Sequence, residues 1–308
     1  IRDNGAGLVG SEMCIRDRFC QVRVLDFCVM SNHFHILLEV PAAPENRGAD
    51  WSDERLLEHL AGLYTKRQMG KLRWELEHYR QQNNTAAAEA FRERFFRRMW
   101  DLSQFMKTLK QRFTTWFNRQ HERRGTLWEE RFKSILVEDG HAARTMAAYI
   151  DLNPVRAGMV DDPKDYRWCS YGEAMAGNKR SREGLRRVMF EAEAARAGEE
   201  VATEQLISWR KASHRYRQIL YLALNRDKGQ VDAEDALQLT EAAALLCRMR
   251  AMIDGVAMGT GPFVENVFGW CRGWFGANRK TGARKLRGID TPLRALRDLR
   301  DLRPDPPA

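Results

Sequence analysis

The chain is 308 residues long, 44% hydrophobic and 30% charged, which is enough to bury the cores of two modest domains. It carries a formal net charge of +9 and lacks an uncharged apolar run of about 18 residues, so a nucleic acid is the expected partner class and a membrane is not. No basic-then-apolar leader pattern opens the chain, and its six cysteines include no Cys-x-x-Cys pair; a cytoplasmic location is expected, with neither a zinc site nor a disulfide framework. The alternative source of the positive charge is a set of solvated surface helices.

Residues 12–18 read Glu-Met-Cys-Ile-Arg-Asp-Arg and resemble a translated frame of the transposon mosaic end used in sequencing-library adapters. Residues 1–18 are therefore expected to lie outside the fold, with an ordinary disordered terminus as the alternative. From Val22 to Met30 the residues are apolar or β-branched with polar interruptions, Ser31-Asn32 has turn chemistry, and His33 to Val40 resumes the apolar run before Pro41. This pattern predicts a β-hairpin. Residues 44–120 are dense in Glu, Arg, Leu and Ala with a polar break at 81–85, and 44–100 reads as an insertion of surface helices.

The segment Asp101 to Gln120 spaces Leu102, Phe105, Met106, Leu109, Phe113, Trp116 and Phe117 by threes and fours, which predicts an amphipathic helix. Lys107, Lys110, Arg112 and Arg119 occupy its polar side and, with Arg123, Arg124 and Arg131, are candidate contacts to a phosphate backbone. Trp116 and Trp128 are candidates either for base stacking or for the core. A strand is expected over Arg131 to Glu138 and a short helix over Ala142 to Leu152, stopped by Pro154. The alternation predicts an α+β domain over residues 19–175. Residues 176–200, rich in Arg, Glu, Gly and Ala, read as a linker or exposed helix, and 201–308 as a mainly helical accessory region with a basic end.

Two places carry candidate chemistry. In His33-Phe34-His35 a strand sends residues i and i+2 to one face, so both imidazoles can address one ion while Phe34 points away. Alone the pair is as compatible with a structural role. Tyr149 and Asn153 are four apart and share one face of a helix, which offers a phenol nucleophile and an amide oxygen side by side. The alternatives are a buried tyrosine with a satisfied hydroxyl and a helix-terminal asparagine before proline.

The blocks Val29-Met30-Ser31-Asn32-His33-Phe34-His35-Ile36-Leu37-Leu38, Gly125-Thr126-Leu127-Trp128-Glu129-Glu130-Arg131-Phe132, Tyr149 to Gly158, and Tyr166-Arg167-Trp168-Cys169-Ser170 resemble, in order, the REP-associated tyrosine transposases, which are single-tyrosine HUH endonucleases. The resemblance covers residues 20 to 175. It extends loosely to 245–303 through Asp254-Gly255, Phe263-Val264 and Lys280-Thr281-Gly282-Ala283-Arg284. It implies a ferredoxin-like HUH domain in which His33 and His35 hold a divalent cation, magnesium or manganese, with Asn153 as third ligand. Tyr149 would then attack a phosphodiester of single-stranded or hairpin DNA, leaving a 5′-phosphotyrosine. Family members begin with a strand and a helix before the segment at Val22, and no matching sequence occurs here, so the domain is expected to be N-terminally truncated. A DNA-hairpin-binding protein without catalysis is the alternative.

Overall fold

The computed structural model describes residues 19–48, 50–197, 207–224, 252–253, 255–286 and 291–297. The suspected adapter-derived residues 1–18 lie outside them, as does Asp254. The chain is α+β. It divides into two compact units, one holding the residues up to Val24, Ser31–His33 and Leu38–Arg131, the other holding Leu25–Met30, Phe34–Leu37 and the residues from Phe132 on. Among the described residues no helix is long and apolar enough to cross a membrane.

Strands β1 (Arg23–Val29) and β2 (Phe34–Glu39) form a two-stranded sheet, in which Arg23 Nη1 pairs with Glu39 Oε1 at 2.5 Å. In the first unit follow α1 (Asp53–Ala61), α2 (Lys66–Gln81), α3 (Thr85–Phe96) and α4 (Leu102–Gln120). The polar break expected at 81–85 falls between α2 and α3. Each of these helices starts at a residue whose side chain accepts an N–H of the first turn: Ser52, Thr65, Asn84 and Asp101. Such caps satisfy donors that the helix itself leaves open. Thr65 and Gln68 complete a reciprocal capping box.

The loop before α1 is held by Arg92 of α3, whose guanidinium is buried. It pairs with Asp53 Oδ1 at 2.6 Å and donates to Gly48 O at 3.1 Å and Trp51 O at 2.6 Å. Gly48 has φ +84°, and a Cβ there would overlap the Phe96 ring; both the dihedral and the close approach require glycine.

The second unit is built around α5 (His141–Asp151), whose residues Ala142 to Asp151 are all buried. A helix buried all round must satisfy its polar side chains internally. Thr145 Oγ1 donates to His141 O at 2.8 Å, and Arg144 meets His141 Nδ1 at 2.8 Å. Around it lie α6 (Asn153–Arg156), α7 (Ser170–Met175), α8 (Lys179–Ala197) and α9 (Trp209–Leu224). Pro154 was expected to stop a helix; it sits in the first turn of α6, where the missing N–H costs nothing. Residues 179–197, expected as linker or exposed helix, form α8, and its Leu185, Val188 and Met189 enter the same core as Tyr149. Their spacing of three and four is an apolar stripe inside a charged segment.

Only Leu136–Val137 of the strand expected over 131–138 is extended, as β3. It pairs in parallel with β4 (Ala257–Gly259), which continues to β6 (Arg294–Leu296) and β5 (Arg284–Lys285), giving the order β3-β4-β6-β5. Helix α10 (Gly261–Trp270) packs its Val264, Val267 and Phe268 with Ala257, Phe275 and Leu296. The described part of 201–308, read from sequence as mainly helical, holds two α-helices and a single 3-10 turn, Arg272–Trp274, together with three short strands.

Candidate functional site

The end of α5 and the inner part of β1 bring the candidate residues of the second unit together. β1 is buried from Leu25 to Val29, so its open edge needs partners. The segment 166–170 supplies them. Val29 N–H donates to Trp168 O at 2.9 Å, the Tyr166 hydroxyl donates to Val29 O at 2.8 Å, and Phe27 N–H donates to Ser170 Oγ at 2.8 Å. Cys28 and Cys169 face each other as an isolated antiparallel bridge. Helix α8 also reaches β1: a Cβ on Gly184 would stand 2.3 Å from Leu25 O, a distance only glycine permits.

Tyr149, in the last turn of α5, is 2% exposed. Its ring meets the His35 ring edge-on, with centroids 6.5 Å apart and planes at 76°. His35 is half-buried in β2. On Tyr149 also lies the Arg156 guanidinium, its Cζ 3.8 Å from the ring centroid, a cation over the electron-rich face. Among the described residues the Tyr149 hydroxyl has no hydrogen-bond partner. His33 precedes β2 and is exposed, with Nδ1 2.7 Å from Asn32 Oδ1. The strand that was to carry both histidines therefore carries one.

Asn153 and Tyr149 do not share a helix, because α5 ends at Asp151 and Asn153 opens α6. The Asn153 amide works as a cap: Nδ2 donates to Ile150 O at 3.1 Å and to Tyr149 O at 3.4 Å. Its Oδ1 accepts from Arg156 Nη2 at 2.6 Å, and the same nitrogen donates to Tyr149 O at 2.7 Å. Arg156 thus ties together the two residues that the sequence pairs. Its place in the Tyr149 to Gly158 block is the signal the sequence carries for it.

As a donor set for a cation, two neutral imidazoles fit manganese by softness better than magnesium. The Asn153 oxygen, held against a guanidinium, does not fit in this arrangement. Among the described residues no cluster of three or more His, Cys, Asp or Glu side chains is disposed to hold a metal.

Two buried acids lie under this site and were missed. Asp26 and Asp151 are both 0% exposed. Asp151 accepts from Tyr171 N–H at 3.1 Å and from the Tyr216 hydroxyl at 2.8 Å. Burial pushes its carboxyl up to about 7 against these bonds and a contact from Cys169. Burial first, and the Asp151 charge second, hold Asp26 well above the usual carboxylate range. The Ser170 hydroxyl and the Phe27 N–H lie near enough to offset part of that rise, although among the described residues neither makes a geometrically regular hydrogen bond to an Asp26 oxygen. Burial likewise raises the Cys28 and Cys169 thiols, so both stay protonated. The sequence shows Asp26 only as a polar interruption in a strand.

The seven candidate DNA contacts all belong to the first unit. In α4 the buried stripe is Phe105, Met106, Leu109 and Phe113. At 3.6 residues per turn, Arg112 and Arg119 line one flank of it and Lys110 the other. Lys107, Arg112, Arg119, Arg123, Arg124 and Arg131 are exposed. Lys110 is half-buried and donates to Glu130 O at 2.8 Å, its ammonium 5.1 Å from the Trp128 ring centroid, and burial lowers its pKa. Arg112 reaches Leu63 O at 3.5 Å, and Arg123 lies 5.8 Å from the Phe117 ring centroid. Trp128 packs on Phe113 with centroids 5.6 Å apart and donates to Thr114 Oγ1 at 3.0 Å; Trp116 packs on Phe113 at 5.7 Å. Both tryptophans are therefore half-buried parts of the packing of α4.

No family model, no curated protein and no solved structure matches the chain.

Proposed function

We propose that the chain is a divalent-cation-dependent endonuclease and strand transferase of the transposase kind, acting on single-stranded DNA beside hairpins with Tyr149 as nucleophile. The observation that carries this reading is the edge contact between the His35 and Tyr149 rings, two residues remote in sequence that belong to the separate blocks of the resemblance. In the same reading β1, β2 and α5 are parts of a ferredoxin-like HUH domain. His33 and His35 are the residues that would hold the cation, and Asn153 would join only after releasing Arg156. The bound cation would neutralise charge on the non-bridging phosphate oxygens.

The chain's own contribution is the phenol. A phenol hydroxyl is a weak nucleophile and needs assistance to attack. Attack forms a bond from the Tyr149 oxygen to phosphorus and breaks the bond from phosphorus to the 3′ oxygen. The phenol proton leaves, and the departing strand takes up a proton to end as a 3′-hydroxyl. Another 3′-hydroxyl reverses the step, so no external energy source is required.

The test is covalent trapping. With a hairpin oligonucleotide carrying a single-stranded flank and Mn²⁺ or Mg²⁺, the full chain is expected to form a denaturation-resistant adduct that maps to Tyr149. Tyr149→Phe, which removes one oxygen and almost no volume, should abolish the adduct and leave DNA binding intact. His33→Ala, His35→Ala or excess chelator should do the same. An adduct that survives Tyr149→Phe, or nicking undiminished in chelator, refutes the assignment. A second reading, hairpin binding without catalysis, is favoured by the 2% exposure of Tyr149 and the engaged Asn153 oxygen. Tight binding with no adduct under any metal would establish it.

A further inference from the structure

We propose that Trp270 and Trp274 form a stacking platform for the unpaired bases of single-stranded DNA, on the module built from β4, α10, β5 and β6. Trp270 closes α10, and Trp274 closes the single helical turn Arg272–Trp274 that follows. They are 77% and 57% exposed. Among the described residues one other indole, Trp74, reaches such exposure at 65%, and its face is already stacked on His78 at 5.1 Å, whereas here two indoles stand four positions apart on consecutive turns.

The module has a place for aromatic rings and fills it with others. Phe268 and Phe275 are buried with centroids 5.3 Å apart. Arg272 covers Phe268 at 5.4 Å from the ring centroid, and Arg279 covers Phe275 at 4.5 Å. The two guanidiniums are tied to backbone carbonyls, Arg272 to Phe275, Gly276 and Ala277, and Arg279 to Thr281, Gly282 and Arg297. Glu265 of α10 accepts the N–H groups of Gly282 and Ala283 at 2.8–3.1 Å. The segment that presents the indoles is thus anchored from both sides, and their exposure is a property of a braced surface. Indole carries a large apolar area, so leaving two in water is unfavourable until something covers them.

Charge identifies the occupant. From Trp270 to Lys285 the chain has five cations, Arg272, Arg279, Lys280, Arg284 and Lys285, and no Asp or Glu. Lys280, Arg284 and Lys285 are exposed. Exposed indoles in a segment rich in exposed cations, where the one carboxylate that reaches it, Glu265, is spent on backbone N–H groups, match a strand that offers base faces and phosphates together. A duplex hides its base faces in the stack and does not fit. The inference deepens the proposed function by giving the DNA a second contact, and it does not depend on Tyr149 chemistry.

The experiment is equilibrium binding of the full chain to oligo(dT), followed by anisotropy of a labelled strand and by quenching of tryptophan fluorescence. Trp270→Ala and Trp274→Ala are each expected to weaken oligo(dT) binding about tenfold. The double variant should weaken it further and lose quenching, while Trp270→Phe should keep most of the affinity. Circular dichroism should be unchanged, since neither side chain is in the core. Binding to a duplex of equal length should change little. Wild-type affinity for oligo(dT) in the double variant overturns the platform, as does equal loss on duplex, which would mark a purely electrostatic effect. Tighter binding to oligo(rU) than to oligo(dT) overturns the DNA assignment. Loss of self-association with unchanged DNA affinity would make the face a protein interface. If wild type fails to bind oligo(dT), the platform is refuted; if it binds yet forms no adduct, only the nuclease reading is.

Discussion

A carboxyl group with no exposed surface and no well-formed hydrogen bond is disfavoured as an anion, and among the described residues Asp26 is such a group, with only the nearby Ser170 hydroxyl and Phe27 N–H easing its charge. Asp151 shares its environment, with a carboxyl pushed up to about 7 chiefly by burial, from an unfolded value near 3.9. A carboxyl whose folded pKa is raised keeps its proton longer in the folded state. The fold is favoured fully below the unfolded value, and that advantage is lost as pH rises through the folded one. Stability should therefore fall between about pH 4 and pH 7, and further where Asp26 ionises. Asp26→Asn, which mimics the neutral acid, should raise stability at pH 8 by on the order of 1–3 kcal/mol and flatten the decline, as read from urea midpoints at pH 5 and pH 8. A variant less stable at pH 8, or with an unchanged slope, would show that Asp26 has a donor that compensates its charge. None of this is visible in the sequence, where one aspartate in β1 looks like any polar residue of an alternating strand.

Helix α4 and helix α5 differ in how far a short window of sequence describes them. In α4 the apolar spacing, the polar remainder and the Asp101 cap are all local, and the helix forms over Leu102–Gln120 with Phe105, Met106, Leu109 and Phe113 buried. The cap is testable in the same terms: Asp101 accepts Gln104 N–H at 2.9 Å, so Asp101→Ala should lower stability by about 1 kcal/mol in denaturant unfolding, and no loss would mean that solvent satisfies the first turn equally well. In α5 His141, Arg144, Thr145 and Asp151 mark a polar side, yet every residue from Ala142 to Asp151 is buried, so the period does not tell which side meets solvent. The stripe of α8 was present as Leu185, Val188 and Met189 but was masked by the surrounding Arg and Glu. The strand expected over 131–138 shrank to Leu136–Val137, since extension needs a partner and only β4 provides one there.

Across the whole chain, the net charge of +9 acts on any polyanion through counterion release. If about five phosphates of a single strand are neutralised, the logarithm of the binding constant should fall with the logarithm of salt concentration with a slope near −3.5. Oligo(dT) affinity measured from about 50 to 300 mM salt checks this, and a flat response would remove phosphate tracking from the account. The exposed cations of α4 and its following loop, and those after Trp270, are the groups from which that slope would arise.

What the amino-acid sequence determined by itself is what short windows encode: the basic balance, the turn between β1 and β2, the stripe and cap of α4, and the blocks containing His33, His35 and Tyr149. What only the tertiary structure decided is who meets whom. It set Tyr149 against His35 and beneath Arg156, turned the Asn153 oxygen to that same arginine, buried the Asp26 carboxyl, and left Trp270 and Trp274 in solvent while burying Phe268 and Phe275. Periodicity and capping act between residues a few positions apart, so sequence carries them. Burial and partner choice arise where segments distant along the chain compete for the same contacts, and packing alone resolves that competition.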